Sequence, residues 1–268
     1  MAGFATWQDY EIAGVDYSDV GQLWMPSGGT GVNFTWRSRY NSGSEPPAAP
    51  GTIYDSAVAH PPTWQGLDFP AVSPKRRFIH SISGCSNLPV TICVYDRLVG
   101  VGTIGFTTPV GSKAVNTPAL PRYSGVDAVE NQAWFTVQSF NTTQPVIINL
   151  DSYTSADGST GQSGGSISIP TSSGTPQMWP MPQSATKRGI RSVESINASQ
   201  IATSFCNGSV VLLRPLAYVS LSSVWNEVCF ATDHLTMPRV YDGAILGVMY
   251  NCPTALVVFN LTIKTVYG

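Results

Sequence analysis

Charge is what this sequence has least of. Asp, Glu, Lys and Arg make up 11% of its 268 residues, roughly half the share of an ordinary soluble domain. Hydrophobic residues reach 43%, which excludes disorder, because disordered chains combine low hydrophobicity with high net charge. A formal net charge of −2 removes the basic footprint that nucleic-acid binding requires. No apolar run approaches the roughly 18 residues of a membrane-spanning helix. Met1–Tyr10 lacks both the basic and the apolar region of a secretory signal. The expectation is a protein made in the cytoplasm, with neither nucleic acid nor membrane as a partner.

The chemical inventory is equally thin. Only three histidines occur, His60, His80 and His234, and no His-Glu-x-x-His, Gly-x-Ser-x-Gly or Walker pattern is present. Asp233-His234 reads as a local hydrogen-bonded or capping pair, and His80 as a sheet-face histidine. Asp96, Asp151 and Asp157 lack the spacing of a calcium loop. Gly158 to Gly165 has the wrong spacing and the wrong flanks for a dinucleotide loop. The five cysteines, Cys85, Cys93, Cys206, Cys229 and Cys252, include no C-x-x-C pair, so they are expected to be free core thiols of a reducing compartment. No catalytic, metal-binding or cofactor-binding residue emerges, and the protein is not expected to be an enzyme or to need a cofactor.

What is present divides the chain near residue 75. Residues 1–74 hold four of the seven tryptophans, eight of the twenty prolines, two basic residues and seven acidic ones. Residues 75–268 hold twelve basic and nine acidic residues. Proline-rich sequence of this kind excludes long helices and central strands, so 1–75 is expected to be an extended arm without a core of its own. From Lys75 onward apolar residues recur with a period of two, as in Val257, Phe259, Leu261 and Ile263, or Val146, Ile148 and Leu150. Further runs fall at 76–83, 90–99, 101–107, 132–140, 166–169, 190–197, 208–214 and 244–251, separated by Gly/Pro/Ser turns. The single helix candidate is Val224 to His234, and a long polar loop is expected at about 153–182. The fold class is all-β: an antiparallel β-sandwich over 76–268, jelly-roll-like in arrangement.

Four stretches carry a resemblance: Met1–Tyr10 (MAGFATWQDY), Lys187–Asn197 (KRGIRSVESIN), Val210–Leu221 (VVLLRPLAYVSL) and Met237–Tyr250 (MPRVYDGAILGVMY). Together they resemble a group of virion structural proteins of tailed bacteriophages (Caudoviricetes), whose members share a Leu-x-Arg/Lys-Pro-Leu turn and a Leu-Pro-Arg-Val-Tyr-Asp-Gly-Ala segment. Met237 stands here in place of that Leu. The resemblance lies mainly in residues 187–268 and implies a capsid-associated cement, decoration or minor capsid protein. Its implied partners are the major capsid protein and further copies of itself, a trimer being the expected homo-oligomer. A tail, neck or host-binding component of the same virion is the alternative, and a glycan-degrading enzyme would need a carboxylate pair that no spacing suggests.

Charge and aromatic content nominate the contact residues. Trp7, Tyr10, Trp24, Trp36, Tyr40, Tyr54 and Trp64 offer aromatic surface in the acidic arm, and water disfavours its exposure. Arg76, Arg77, Lys187, Arg188 and Arg191 are the basic groups of the body that the arm would meet, either in its own chain or in a neighbour.

Overall fold

The computed structural model of the chain describes residues 18–25, 36–38, 52–53, 66–107, 111–141, 144–170, 177–200, 205–222, 228–231, 238–252 and 257–268. These residues form strands β1 (Ser18–Met25), β2 (Trp36–Ser38), β3 (Thr52–Ile53), β4 (Leu67–Asp68), β5 (Arg77–Ser86), β6 (Val90–Thr107), β7 (Gly111–Ala114), β8 (Gln132–Asn141) and β9 (Val146–Ser155). They continue with β10 (Ser166–Ile169), β11 (Gln177–Pro180), β12 (Ile190–Gln200), β13 (Phe205–Leu221), β14 (Val228–Ala231), β15 (Arg239–Val240), β16 (Ile245–Asn251) and β17 (Phe259–Tyr267). The one helical element among them is a 3-10 turn, Gly125–Glu130. The chain is all-β, and its antiparallel sheets pack as layers of a sandwich.

The middle layer closes on itself. β6 pairs with β13, β13 with β8, β8 with β11, β11 with β2 and β2 with β16, and β16 returns to β6. Each strand of this ring sends a side chain into one cluster: Cys93 and Tyr95 from β6, Val211 and Leu213 from β13, Trp134, Met178, Met249, and the half-buried Trp36 of β2. The period of two explains the sorting, since Ile92 and Val94 alternate with Cys93 and Tyr95 and point to the opposite face. The space at the ring axis is tight: a Cβ on Gly247 would lie 2.5 Å from the Tyr95 ring.

Two further sheets cover the ring on its outer faces. The sheet β1-β17-β5-β14, with β15 on β5, packs Ile79, Ile82, Phe259, Leu261 and Ile263 against Ile92, Val94, Val219, Leu246 and Val248. The sheet β10-β9-β12-β7 packs Val146, Ile148, Leu150, Val193 and Ile196 against Leu98, Val101, Phe106, Phe135, Val210 and Leu212. β6 and β13 run through both regions because each is long, and register shifts at Gly208/Val210, Leu212/Leu213 and Pro215/Ala217 turn the chain from one core to the other.

The leading segment is part of these layers. β1 pairs along eight residues with β17 at a sheet edge, β3 and β4 attach to β6 and β16, and β2 is paired on both sides. The expectation that prolines exclude a central strand from residues 1–75 is therefore corrected at Trp36–Ser38. None of the eight prolines of 1–74 falls within the four strands, so the backbone donors needed for pairing are intact. The helix expected over Val224 to His234 is also corrected: Val228–Ala231 is a strand on β5, as its β-branched and aromatic side chains favour.

Cys93, Cys206 and Cys252 are buried and free, and Cys85 is free and half-buried; the side chain of Cys229 lies outside the described residues. Burial pushes the thiols of Cys93 and Cys206 up to about 12, which leaves about a thousandfold less thiolate than at the ordinary value. Among the four described thiols, alkylation of the native protein at neutral pH, read by mass spectrometry, should label Cys85 first. Cys93 and Cys206 should react only after unfolding; prompt labelling of either would contradict their burial.

Candidate functional site

The 3-10 turn Gly125–Glu130 stands out as a ridge between hollows. Gly125, at φ +61°, turns the chain into it, a conformation that costs glycine little. Val126 is 78% and Val129 49% exposed, placing two of the four most exposed large apolar side chains of the described residues on one turn. The ridge is pinned from beneath. Buried Asn131 donates through Nδ2 to the carbonyls of Tyr123 (3.0 Å) and Ile190 (3.2 Å). Gln183 donates to the Asn131 carbonyl and accepts from the Gly189 amide.

Gly189, at φ +73°, lets the start of β12 pass directly under the turn: a Cβ there would sit 2.2 Å from the Ala128 carbonyl oxygen and 2.5 Å from the Val129 Cα. Gly189→Ala combines a left-handed backbone with a backbone clash, so it should cost at least about 2 kcal/mol and displace the turn. Chemical denaturation checks the first effect, and amide chemical shifts of 125–131 check the second.

One hollow beside the ridge has a volume of about 530 Å³. It is built where two separate segments meet, Arg214–Leu216 of β13 and Pro238–Tyr241 around β15, with Tyr123 as its floor. Both segments belong to the stretches that carried the sequence resemblance. Tyr123 and Tyr241 stack edge to face at 4.7 Å, Arg214 lies over Tyr123 at 5.1 Å and Arg239 over Tyr241 at 3.9 Å. The Tyr123 hydroxyl donates to the Arg239 carbonyl at 2.8 Å, and burial pushes that phenol well above its ordinary range. The two arginines differ in their partners. Arg214 pairs with Glu130 at 2.5 Å and donates to the Asp127 carbonyl at 2.9 Å. Arg239 makes no ion pair among the described residues, and its Nε is buried without a hydrogen-bond partner.

Below the hollow lies a buried ion pair. Arg122 holds Asp96 with both arms, Nε to Oδ2 at 2.6 Å and Nη2 to Oδ1 at 2.5 Å, and also donates to the Arg97 carbonyl. Full burial pushes the Asp96 carboxyl upward, and the Arg122 guanidinium opposes that push. The pair anchors the chain at Arg122, next to Tyr123 at the floor of the hollow.

Two more hollows, of about 570 and 370 Å³, flank the other sides of the ridge, and Val129 lines all three. Arg188 borders the second and third, is exposed, and makes no ion pair among the described residues. In the third, Lys187 binds Asp157 at 2.6 Å and Ser159 at 2.9 Å. The Lys187 ammonium, helped by Ser155 and Ser159, holds the Asp157 carboxyl below its usual 3.8. A depressed carboxylate contributes above the unfolded value and loses that contribution only as pH falls through the folded one. The Asp157 carboxyl-carbon NMR signal should therefore still report the ionised form at pH 3.8, and Lys187→Met should return its titration to the ordinary range.

The residues nominated from sequence are placed as follows. Arg76 is exposed at the chain's C-terminal end, its backbone paired with Gly268. Arg77 is a buried anchor, 2% exposed, that meets the leading segment of its own chain. It pairs with Asp19 at 2.6 Å, donates to Thr265 and to the Pro70 carbonyl, and lies between the rings of Phe69 and Tyr267. Acidic leading segment and basic body thus meet there within one chain. Trp36 packs against the chain's own body, in the ring core edge to face on Trp134. Arg191 spends its guanidinium on the Ala156 carbonyl, so Lys187, Arg188 and Arg191 gather near the ridge while Arg76 and Arg77 do not. Trp7, Tyr10, Tyr40, Tyr54 and Trp64, and the side chain of Trp24, lie outside the described residues. Sequence reasoning missed Tyr123, Arg214, Arg239 and Tyr241; the signal available was a lone arginine inside each of two otherwise apolar strand segments.

Among the described residues no group of three His, Cys, Asp or Glu side chains is placed to hold a metal, and no helix is long and apolar enough to cross a membrane. The fold and this face define an all-β protein that carries an arginine–tyrosine hollow beside an exposed apolar ridge. No family profile and no curated protein matches the sequence. Among solved structures, that of the infectious bursal disease virus Gx strain is similar at 10% identity and a TM-score of 0.21, over 94% of this chain and 81% of that one. The infectious bursal disease virus VP2 subviral particle is similar at 8% and 0.17, over 94% and 79%. Scores of this size do not establish a common fold.

Proposed function

We propose that the protein is a non-enzymatic structural component of a tailed-phage virion, a cement or minor capsid protein that binds the major capsid protein and stabilises the head. The observation that carries this reading is the convergence at the surface of the segments resembling such proteins. Arg214–Leu216 and Pro238–Tyr241 are separate in sequence, yet they build one arginine–tyrosine hollow beside an exposed apolar ridge. Arginine and tyrosine are the side chains that protein contacts favour. The carboxylates Glu130 and Asp96 are engaged by Arg214 and Arg122, an arrangement suited to holding a shape. Low charge overall suits a chain whose surface is largely covered by neighbours.

Cryo-electron microscopy of virions carrying the protein, with its copy number, tests the reading. Density on the shell at hundreds of copies supports the cement role. A dozen or fewer copies at the tail or neck supports the alternative of a tail, neck or host-binding component. Absence from particles overturns both.

A further inference from the structure

The ridge forms one wall of the arginine–tyrosine hollow, and the two carry groups of opposite charge. The ridge presents Val126 and Val129 with the exposed carboxylate of Asp127 between them, and that carboxylate makes no hydrogen bond or ion pair among the described residues. The hollow presents the Arg239 guanidinium, held over the Tyr241 ring and without an acidic partner among the described residues. Within one chain the two do not pair: Asp127 offers Arg214 only its backbone carbonyl.

We propose that this face docks a second copy of the same chain about a twofold axis, each ridge entering the other copy's hollow so that Asp127 of one copy meets Arg239 of the other. A surface holding a projection and its complement next to each other satisfies the requirement of an isologous contact, in which residue i touches j and j touches i. A ring of three would need the two features on different faces of the molecule. Desolvation drives the contact through the two valines and the tyrosine faces, while the two symmetric charge pairs set its register. The ridge is already rigid, held by Asn131, Gln183, Gly189 and Arg214, so docking orders little that is mobile beforehand. This contact does not depend on the virion reading, because it requires only this chain.

The test is sedimentation velocity of the purified full-length chain from about 1 to 100 μM, with thermal unfolding at the lowest concentration as a control for folding. The wild type should dimerise with increasing concentration. Asp127→Arg should weaken the dimer at least tenfold by placing an arginine opposite Arg239, and Val126→Asp should do the same by burying an unpaired charge. Both positions are exposed, so the folding control should be unchanged. Arg239→Glu should also weaken the dimer, and Asp127→Arg combined with Arg239→Glu should restore it by exchanging the charges. A wild type that stays monomeric throughout overturns the proposal, as does a dimer indifferent to Asp127→Arg and Val126→Asp. A double variant no better than its singles overturns the Asp127–Arg239 pairing. Virion localisation is read independently, so failure here leaves that reading standing, and the reverse also holds.

Discussion

Arg122→Met should lower the free energy of unfolding by about 3–5 kcal/mol at neutral pH, the cost of leaving a buried carboxylate without its partner. Asp96 is wholly buried, and Arg122 binds both of its oxygens. Methionine fills much of the arginine stem's volume but supplies no donor. The variant's Asp96 would relieve its unpaired charge by taking up a proton, so its carboxyl rises further above the ordinary value. For a raised carboxyl the folded state is favoured below the unfolded value and loses that advantage as pH rises through the folded one. The defect should therefore be smallest near pH 4 and grow toward neutrality. Replacing both partners, Asp96→Leu with Arg122→Met, should recover most of the loss, since a buried ion pair often contributes little over apolar residues of similar size. Denaturant unfolding followed by tryptophan fluorescence measures all three. A single variant within about 1 kcal/mol of wild type would mean that water reaches Asp96.

How much of this was legible in the sequence varies from element to element. The alternation in Val257 to Ile263 and Val146 to Leu150 specifies strands and faces directly, because side-chain direction alternates with the backbone. The runs appear as β17, which begins at Phe259 just after Val257, and β9, with those residues buried. Closure of the ring was not legible. It depends on which strand pairs with which, and Trp36–Ser38 carries no pattern of its own at three residues long. Its position is fixed by partners far away in sequence, Gln177 and Met178 on one side and Met249 to Asn251 on the other. The continuation of β13 past Pro215 was hidden for a similar reason. A proline normally ends a strand, and it is accommodated here at a register shift, where a ladder bond is already interrupted.

The candidate face was partly legible. Lys187, Arg188 and Arg191 were recognised as a basic cluster, and they do lie beside the ridge. The charge contrast between leading segment and body was real as well, but one of its arginines, Arg77, is consumed inside the chain by Asp19. Val126 and Val129 gave no signal, because two valines separated by three positions look like any apolar pair. Their exposure follows only from Gly189 passing beneath the turn and leaving no room for it to sink.

Trp134→Ala should cost about 3–5 kcal/mol, the range for deleting a large buried aromatic from a packed core. Trp134 is 2% exposed and stands edge to face with Trp36 at 6.1 Å in the ring interior. Every strand of the ring contributes to the cluster around it, so no neighbour can move into the vacated space without disturbing a hydrogen-bonded ladder. The cost should accordingly fall near the upper end of that range. A double-mutant cycle with Trp36→Ala isolates the contact between the two rings, which should couple them by about 0.5–1.5 kcal/mol. The same cycle bears on the leading segment. Trp36 lies in β2, which fills the space between β11 and β16, so removing residues 1–74 would open the ring and leave Trp134 facing water. The truncated chain should then lose cooperative unfolding altogether rather than persist as a smaller folded body, and its tryptophan emission should shift to the red. A truncated chain that unfolds cooperatively with unshifted emission, or a Trp134→Ala variant within about 1 kcal/mol of wild type, would show that the ring does not depend on β2 for closure.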